Sequence, residues 1–454
     1  MSDSQPSPGP PGHFLLGNLR DFAKDILGFF TKCAREYGDI VKIRLVQNKA
    51  LLISHPDLIE QVLVTHSRSF GKHQFFWKHV RAIFGEGLLT SEGDFWLRQR
   101  RMAQPSFHKE RIAGYGKVMV DFSERMLADW KDGETRDIHQ ELMHVTSRIV
   151  TKALFQTDFT PDMHAVDGAF NTVVEEIASR FRRPIRIPEF LPTPGNLRYK
   201  KSVRRLDDLI YRIIRERRSA ANGTDLLSMM LRAQDEDGTR MTDQQLRDEA
   251  VTLFLAGHET TAIALTWTFY LLSQNPEVQT TLLSELKTVL NGRSPELADL
   301  PNLRYTEMIV SESMRLFPPA YAFGRQALQD SQINGCRVPK GTTIFISQWV
   351  MHRDPRYFDA PLEFRPERWA DGLAKRLPRF AYFPFGGGPR ICIGNSFALM
   401  EAILVLATIA RHFRMELVPG HLVEPFPSIT LRPRFGMKMI LRSCRLKPAA
   451  PNAG

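Results

Sequence analysis

Between Thr242 and Asn275 the chain carries about 34 residues of unbroken helical pattern. Thr242-Asp243-Gln244-Gln245 fits a capping box at its start, and Pro276 suits the first turn of a following helix. At 1.5 Å per residue such a helix is roughly 50 Å long and crosses a molecule of this size from side to side. Residues 250–273 are apolar enough to raise the question of a membrane span. His258, Glu259, Thr260 and Thr261 interrupt the centre, however, where lipid would penalise them most. The pattern predicts a helix buried through the core of a folded protein.

Composition supports a globular chain. Of 454 residues, 43% are hydrophobic and 24% charged, which excludes a disordered or fibrous protein. No linker-like stretch divides it, so a single domain is expected over 1–454, with a Pro-rich lead-in at 1–12 and a flexible tail at 443–454. Lys and Arg exceed Asp and Glu by 11, an excess that suits solubility or an acidic partner without choosing between them. Cys33, Cys336, Cys392 and Cys444 lie far apart with no C-x-x-C pair. That argues for a reducing compartment and against a disulfide scaffold or a cysteine-built zinc module. The N-terminus shows no basic segment followed by a long apolar one, so neither signal peptide nor anchor is expected, and the expected location is cytoplasmic.

Residues 39–54 alternate apolar and polar with a turn near Gln47–Lys49, the pattern of a β-hairpin. Helical periodicity dominates from Pro56 to about residue 235, broken at 183–196 by four prolines. Further strands are expected within 333–347 and 426–442. The fold class is mainly α with small β-sheets.

Residues 385–394 read F-G-G-G-P-R-I-C-I-G. Three glycines and a proline forbid regular structure, so Cys392 sits in a tight loop just before the helix that begins NSFALMEAILVLA. The free N–H groups and positive end of that helix would favour a thiolate. With Phe385, Gly388, Arg390, Cys392 and Gly394 in the spacing F-x-x-G-x-R-x-C-x-G, the chain resembles the cytochrome P450 family of haem-thiolate monooxygenases. The resemblance implies the P450 fold, with haem b (iron protoporphyrin IX) between the long central helix and the cysteine loop. It makes Cys392 the axial metal ligand, Phe385 a cover for the ligand face, and Gly394 part of the backbone that tunes the sulfur.

Other motifs take their family places. In Ala256-Gly257-His258-Glu259-Thr260-Thr261, Gly257 would give dioxygen and water room, while Thr260 and Glu259 would be the catalytic pair that manages protons. The alternative for these two is a threonine bonded back into its own helix beside a paired carboxylate. The stretch nearly spells H-E-x-x-H, but Ala262 stands where a second histidine would be needed. His258 is read as a helix-face residue without catalytic duty. Glu312 and Arg315 match E-x-x-R, and Arg368 in Pro366-Glu367-Arg368-Trp369 would join them in a structural charged network. Trp96 and Arg100, with Arg325 and Arg390, would bind the haem propionates, because guanidinium forks suit carboxylates.

The resemblance also implies a pocket and partners. Phe75, Phe76, Phe84, Leu88, Leu89, Leu253, Phe254, Ala256, Tyr321, Phe323 and Ile429 are the expected lining. Such an apolar site fits a lipophilic small molecule held by shape. The sequence style is closest to soluble microbial fatty-acid hydroxylases, with terpenoid, steroid and polyketide substrates open; Arg44 and Lys49 match no carboxylate-anchoring motif. No flavin or nicotinamide segment is appended, so electrons are expected from an acidic ferredoxin or flavodoxin with its reductase. Arg98, Arg100, Arg101, Lys109 and Arg111 would steer that donor. The expected protein is a monomer, with no nucleic-acid partner and no integral membrane span. A peroxide-driven peroxygenase and a non-catalytic haem sensor or carrier are the alternatives; neither needs the Glu259–Thr260 pair.

Overall fold

The computed structural model describes residues 8–72, 81, 83–156, 172, 176, 191–219, 223 and 225–444. Its longer helices include α1 (Ile26–Tyr37), α2 (Gly93–Ala103), α3 (Gly116–Leu127), α4 (Ile138–Phe155), α5 (Pro194–Ser219), α6 (Asp243–Gln274), α7 (Arg304–Leu316) and α8 (Asn395–Ala410). The strands are β1 (Ile40–Leu45), β2 (Asn48–Ile53), β3 (Phe70–Lys72), β4 (Thr135–Asp137), β5 (Phe323–Ala327), β6 (Ser331–Ile333), β7 (Cys336–Val338), β8 (Thr343–Ile346), β9 (Phe413–Leu417), β10 (Pro425–Pro427), β11 (Leu431–Pro433) and β12 (Lys438–Ser443).

α6 is the axis of the molecule. The Thr242 hydroxyl accepts from Gln245 N at 3.2 Å and the Gln245 side chain accepts from Thr242 N at 2.9 Å, which closes the capping box. Over the next 32 residues the helix packs against α4, α5, α7 and α8. Several of its hydroxyls are satisfied within the helix: Thr266 and Thr268 each donate to the carbonyl four residues back at 2.7 Å. A helix can stay dry on nearly every side only if its hydroxyls are settled in this way. Among the described residues no helix is long and apolar enough to cross a membrane.

The main sheet runs β1-β2-β8-β5-β3, with β2 and β8 parallel and the other neighbours antiparallel. The β1–β2 turn falls one residue earlier than the pattern suggests. Leu45 pairs with Asn48, so Val46 and Gln47 form a two-residue turn in which Val46 takes φ 58°. Val46 N donates to Leu16 O at 3.1 Å, tying that turn to the N-terminal segment. β3 and β4 lie in the region where helical periodicity dominates; each has three residues, too few for a period of two to show. β4 pairs with β12, and β12 with β9, in a second sheet. Much of the proline-rich break at 183–196 and most of the expected tail at 443–454 lie outside the described residues.

Behind the cysteine loop lies a buried ionic cluster. Arg315 Nε and Nη2 each donate to Glu312 at 2.8 Å, a bidentate pair with neither side chain exposed. Arg368 Nε donates to the same carboxylate at 2.8 Å, and Trp369 Nε1 at 2.9 Å. The remaining Arg315 donors reach the carbonyls of His352, Pro361 and Glu363 at 2.7–3.0 Å. One carboxylate thus serves two guanidinium groups and ties α7 to the 352–369 segment. Removing it leaves two buried cations without their acid, so Glu312→Ala is expected to cost about 3–5 kcal/mol. Chemical denaturation of variant and parent should show the loss as a fall in midpoint.

Candidate active site

From Leu246 to Phe269 every residue of α6 is buried except Ala256, Gly257 and Thr260. These positions are spaced so that they share one face, and they open onto a chamber of about 2020 Å³. That volume is about twice the upper end of ordinary small-molecule pockets. Cys392 lines the same chamber, with Phe385, Gly394, Trp96, Arg100, Arg325 and Arg390.

The loop that carries Cys392 is forced by its glycines. Gly386 and Gly388 take φ 71° and 67°, conformations that favour glycine. A Cβ on Gly388 would stand 2.0 Å from Leu63 O, and one on Gly387 2.2 Å from the Phe380 ring. Cys392 N donates to Phe385 O at 3.0 Å and closes the loop. The sulfur is open to the chamber yet lies deep in the molecule. Burial raises its thiol above the usual range, while the Gly394 N–H and Arg100 pull the other way. The Gly394 N–H at the start of the helix thus favours the thiolate, and the desolvation cost is larger.

Thr260 Oγ1 donates to Ala256 O at 2.7 Å. Glu259 is buried and accepts from Arg432 Nε at 2.6 Å and from the Thr430 hydroxyl. Burial alone would raise the Glu259 carboxyl, but Arg432 and Thr430 outweigh it and hold the group below its ordinary value. Gly257 meets a packing demand that the motif did not suggest: a Cβ there would sit 3.0 Å from Val150 Cγ2 on α4. His258 is buried, its Nδ1 2.9 Å from Phe254 O.

One wall of the chamber is cationic. Lys72, Arg100, Arg325 and Arg390 all line it. Arg390 pairs with Glu92 at 2.6 Å and lies over the Trp96 ring at 4.2 Å, so its charge is already partly matched. Arg325 is pushed down to about 10 by burial and by Arg390. Lys72, which no motif flagged, is pushed down to about 6, first by burial and then by Arg390. Its Nζ donates to Leu88 O and Ser91 O at 2.9 and 3.0 Å. Cations crowded until they depress one another fit a dianionic ligand, and a free sulfur beside them fits a soft metal centre. The residues present therefore suit an iron porphyrin with two carboxylates.

Of the expected pocket residues, Phe84, Leu88, Leu89, Leu253, Ala256, Tyr321, Phe323 and Ile429 line the chamber. Phe254 does not; it sits on the next stripe of α6 and packs its ring 5.0 Å from that of His258. Phe75 and Phe76 lie outside the described residues. The expected basic run is partly neutralised within the chain, because Arg98 pairs with Asp235 at 2.9 Å and Arg101 with Glu236 at 3.3 Å. Arg111 is exposed, Arg100 faces the chamber, and the Lys109 side chain lies outside the described residues.

A family model described as Cytochrome P450 matches residues 7–438. The chain belongs to the cytochrome P450 family. Among curated relatives, cyclooctatin synthase of Streptomyces melanosporofaciens is 38% identical over 426 residues, 93% of this chain and 92% of the relative. Cyclooctat-9-en-7-ol 5-monooxygenase of the same organism is 40% identical over 411 residues, 89% and 88%. Pentalenene oxygenase of Streptomyces avermitilis is 37% identical over 404 residues, 88% and 90%. This P450 is accordingly a monooxygenase, an oxidoreductase whose family uses a haem-thiolate cofactor, dioxygen and a redox partner.

Lys72 provides a test of the cationic wall. Its ordinary value is near 10.5, and in the folded protein burial and Arg390 push it down to about 6. Between those values the unfolded chain holds a proton that the folded chain has released, so stability rises as pH increases through that window. In haem-free protein, Lys72→Met should flatten this rise, seen as melting temperatures that change less between about pH 7 and 10.

Proposed function

We propose that this P450 oxygenates a lipophilic cyclic terpenoid, inserting one atom of dioxygen into an unactivated C–H or C=C bond while the other leaves as water. The observation that carries the reading is the single open face of α6, Ala256, Gly257 and Thr260, sharing one chamber with Cys392. The names of the three relatives support the terpenoid class over a fatty acid. The chamber agrees: Phe84, Leu88, Leu89, Leu253 and Ile429 offer shape and apolar contact for a rigid scaffold.

Haem b, when bound, would supply the redox and dioxygen chemistry. Cys392 would hold its iron as thiolate, the metal providing the positive charge that Gly394 and Arg100 do not. Lys72, Arg100 and Arg325 would take its propionates, with Arg390, paired to Glu92 and lying over the Trp96 ring, beside them. Thr260 gives its own proton to Ala256 O, so the lone pairs of Oγ1 are left as an acceptor towards the chamber. Glu259 stands next in the chain as the carrier of protons. The Glu312–Arg315–Arg368 cluster would keep the ground behind the cysteine loop rigid.

Electrons would come from a separate acidic ferredoxin or flavodoxin, guided by Arg111 and neighbouring positive charge rather than by Arg98 and Arg101. A peroxide-driven route would not use Glu259 and Thr260 as a proton relay and leaves them only their structural bonds to Thr430, Arg432 and Ala256 O.

Two measurements test the proposal. The reduced, carbon-monoxide-bound protein should show the long-wavelength Soret band of sulfur ligation, and Cys392→His should abolish it. Titration with cyclic terpenoids should shift the Soret band as iron-bound water is displaced, at concentrations at least about tenfold lower than linear fatty acids need, a difference of about 1.4 kcal/mol. Tighter binding of fatty acids would overturn the substrate class.

A further inference from the structure

The loop that shapes the chamber also holds the proton-carrying carboxylate. β10 and β11 form an antiparallel hairpin whose connection is Ser428, Ile429 and Thr430. Pro427, Ser428, Ile429 and Thr430 line the chamber. Thr430 at the end of the connection and Arg432 on β11 lie two residues apart, and both donate to the same oxygen, Oε1 of Glu259. Leu431 between them is fully buried, and its carbonyl accepts from Trp267 Nε1 at 2.8 Å. Glu259 and Trp267 are eight residues apart on α6, close to one stripe of the helix. The hairpin is therefore fastened to α6 at two points, and one of them is Glu259. Its other end is held by Tyr321, whose hydroxyl donates to Ser428 O at 2.9 Å.

We infer that Thr430 and Arg432 are positioning residues for Glu259, so that substrate contact at Ile429 and proton delivery by Glu259 share one mechanical element. This rests on the reading of Glu259 as proton carrier. A ligand packed on Ile429 bears on the residue adjoining Thr430. Whatever seats or unseats the loop changes the bonds that keep Glu259 ionised and aimed at the hairpin. A carboxylate paired with Arg432 does not retain a proton; one released from that partner, still buried, does. Arg432 has a further buried nitrogen, Nη2, without a hydrogen-bond partner in the structure, so its hold on Glu259 is one of few bonds that keep it in place. The other titratable groups facing this site are His258 on α6 and His139 at the start of α4. Burial and Arg432 push His139 down to about 4, which keeps it neutral at ordinary pH.

The experiment compares Arg432→Met, Arg432→Lys, Thr430→Val and Glu259→Gln in the haem-loaded protein with its electron donor. Product formed per electron consumed is followed against pH, together with substrate affinity from the Soret shift. Arg432→Met is expected to lower product per electron by at least about tenfold, the scale on which a displaced acid–base group acts. The acid limb of the profile should move to higher pH, with affinity changed less than about twofold, and Arg432→Lys should restore most of the yield. Thr430→Val, which removes one small donor, should give the same changes on a smaller scale. Infrared spectra supply a readout apart from turnover: Arg432→Met should gain a protonated-carboxyl C=O band that the Arg432→Met/Glu259→Gln double variant lacks.

If Glu259→Gln lowers product per electron while Arg432→Met and Thr430→Val match the parent in yield, pH profile and infrared spectrum, the hairpin role is overturned and the Glu259 reading stands. If Glu259→Gln leaves yield unchanged, the Glu259 reading fails and the positioning role with it. If Arg432→Met lowers yield, pH profile unmoved and no new band present, the residue acts on packing alone and the inference is overturned.

Discussion

A helix that passes dry through the middle of a protein must settle every polar group it carries, and α6 does so almost everywhere. The hydroxyls of Thr260, Thr261, Thr266 and Thr268 turn back onto carbonyls, Glu259 meets Arg432, and residues 246–269 are sealed except at Ala256, Gly257 and Thr260. The chamber exists because packing is withheld at that one face. Everything that defines the site is arranged around this opening: the glycine loop with Cys392, the cationic wall and Ile429 of the β10–β11 connection. Closing it with one larger side chain would convert a site into ordinary core.

Charge is handled differently on the two sides of the cysteine loop. Behind it, Glu312 is shared by two arginines and a tryptophan, and charge is matched within the chain. In front, Lys72, Arg100, Arg325 and Arg390 have too few acids, and burial depresses the protonation of each. Glu249, which accepts from Leu88 N at 3.0 Å, is pushed up to about 7 by burial, so it is a weak counter-ion for them. Glu401 on α8 is likewise driven well above its usual range by burial, against a weaker pull from Thr261. The first arrangement builds a rigid platform. The second leaves a wall of positive charge that its own acids only partly match.

The parts of this protein that are local in sequence were legible there. The capping box at Thr242, the hairpin at 39–54 and the glycine loop each announce themselves within four to sixteen residues, because a cap, a turn or a tight loop depends on near neighbours. Glu312 and Arg315 are visible as a pair three residues apart, but Trp369 as a donor to the same carboxylate is not, since fifty-seven residues separate it from Glu312. Lys72 and Arg432 were missed for the same reason. Lys72 sits on a three-residue edge strand and Arg432 on a three-residue hairpin strand, segments too short to carry periodicity, and each acts across the fold. Phe254 was misplaced because adjacent residues on a helix point about 100° apart, so that neighbours of true lining residues need not line anything. The basic run at 98–111 looked uniform until the fold brought Asp235 and Glu236 onto two of its members.

The contact between Gly388 and the Leu63 carbonyl has a consequence for anyone who would rebuild this enzyme. The sulfur-bearing loop is indexed, through an absent methyl group, to the backbone of a segment more than three hundred residues earlier. Its height relative to the chamber is thus a property of two pieces of chain in register, as a key blank is cut against one particular ward. A chimaera that borrowed the 385–394 loop from a relative, while keeping the native 61–65 segment, would inherit the ligand but not the elevation at which it is presented.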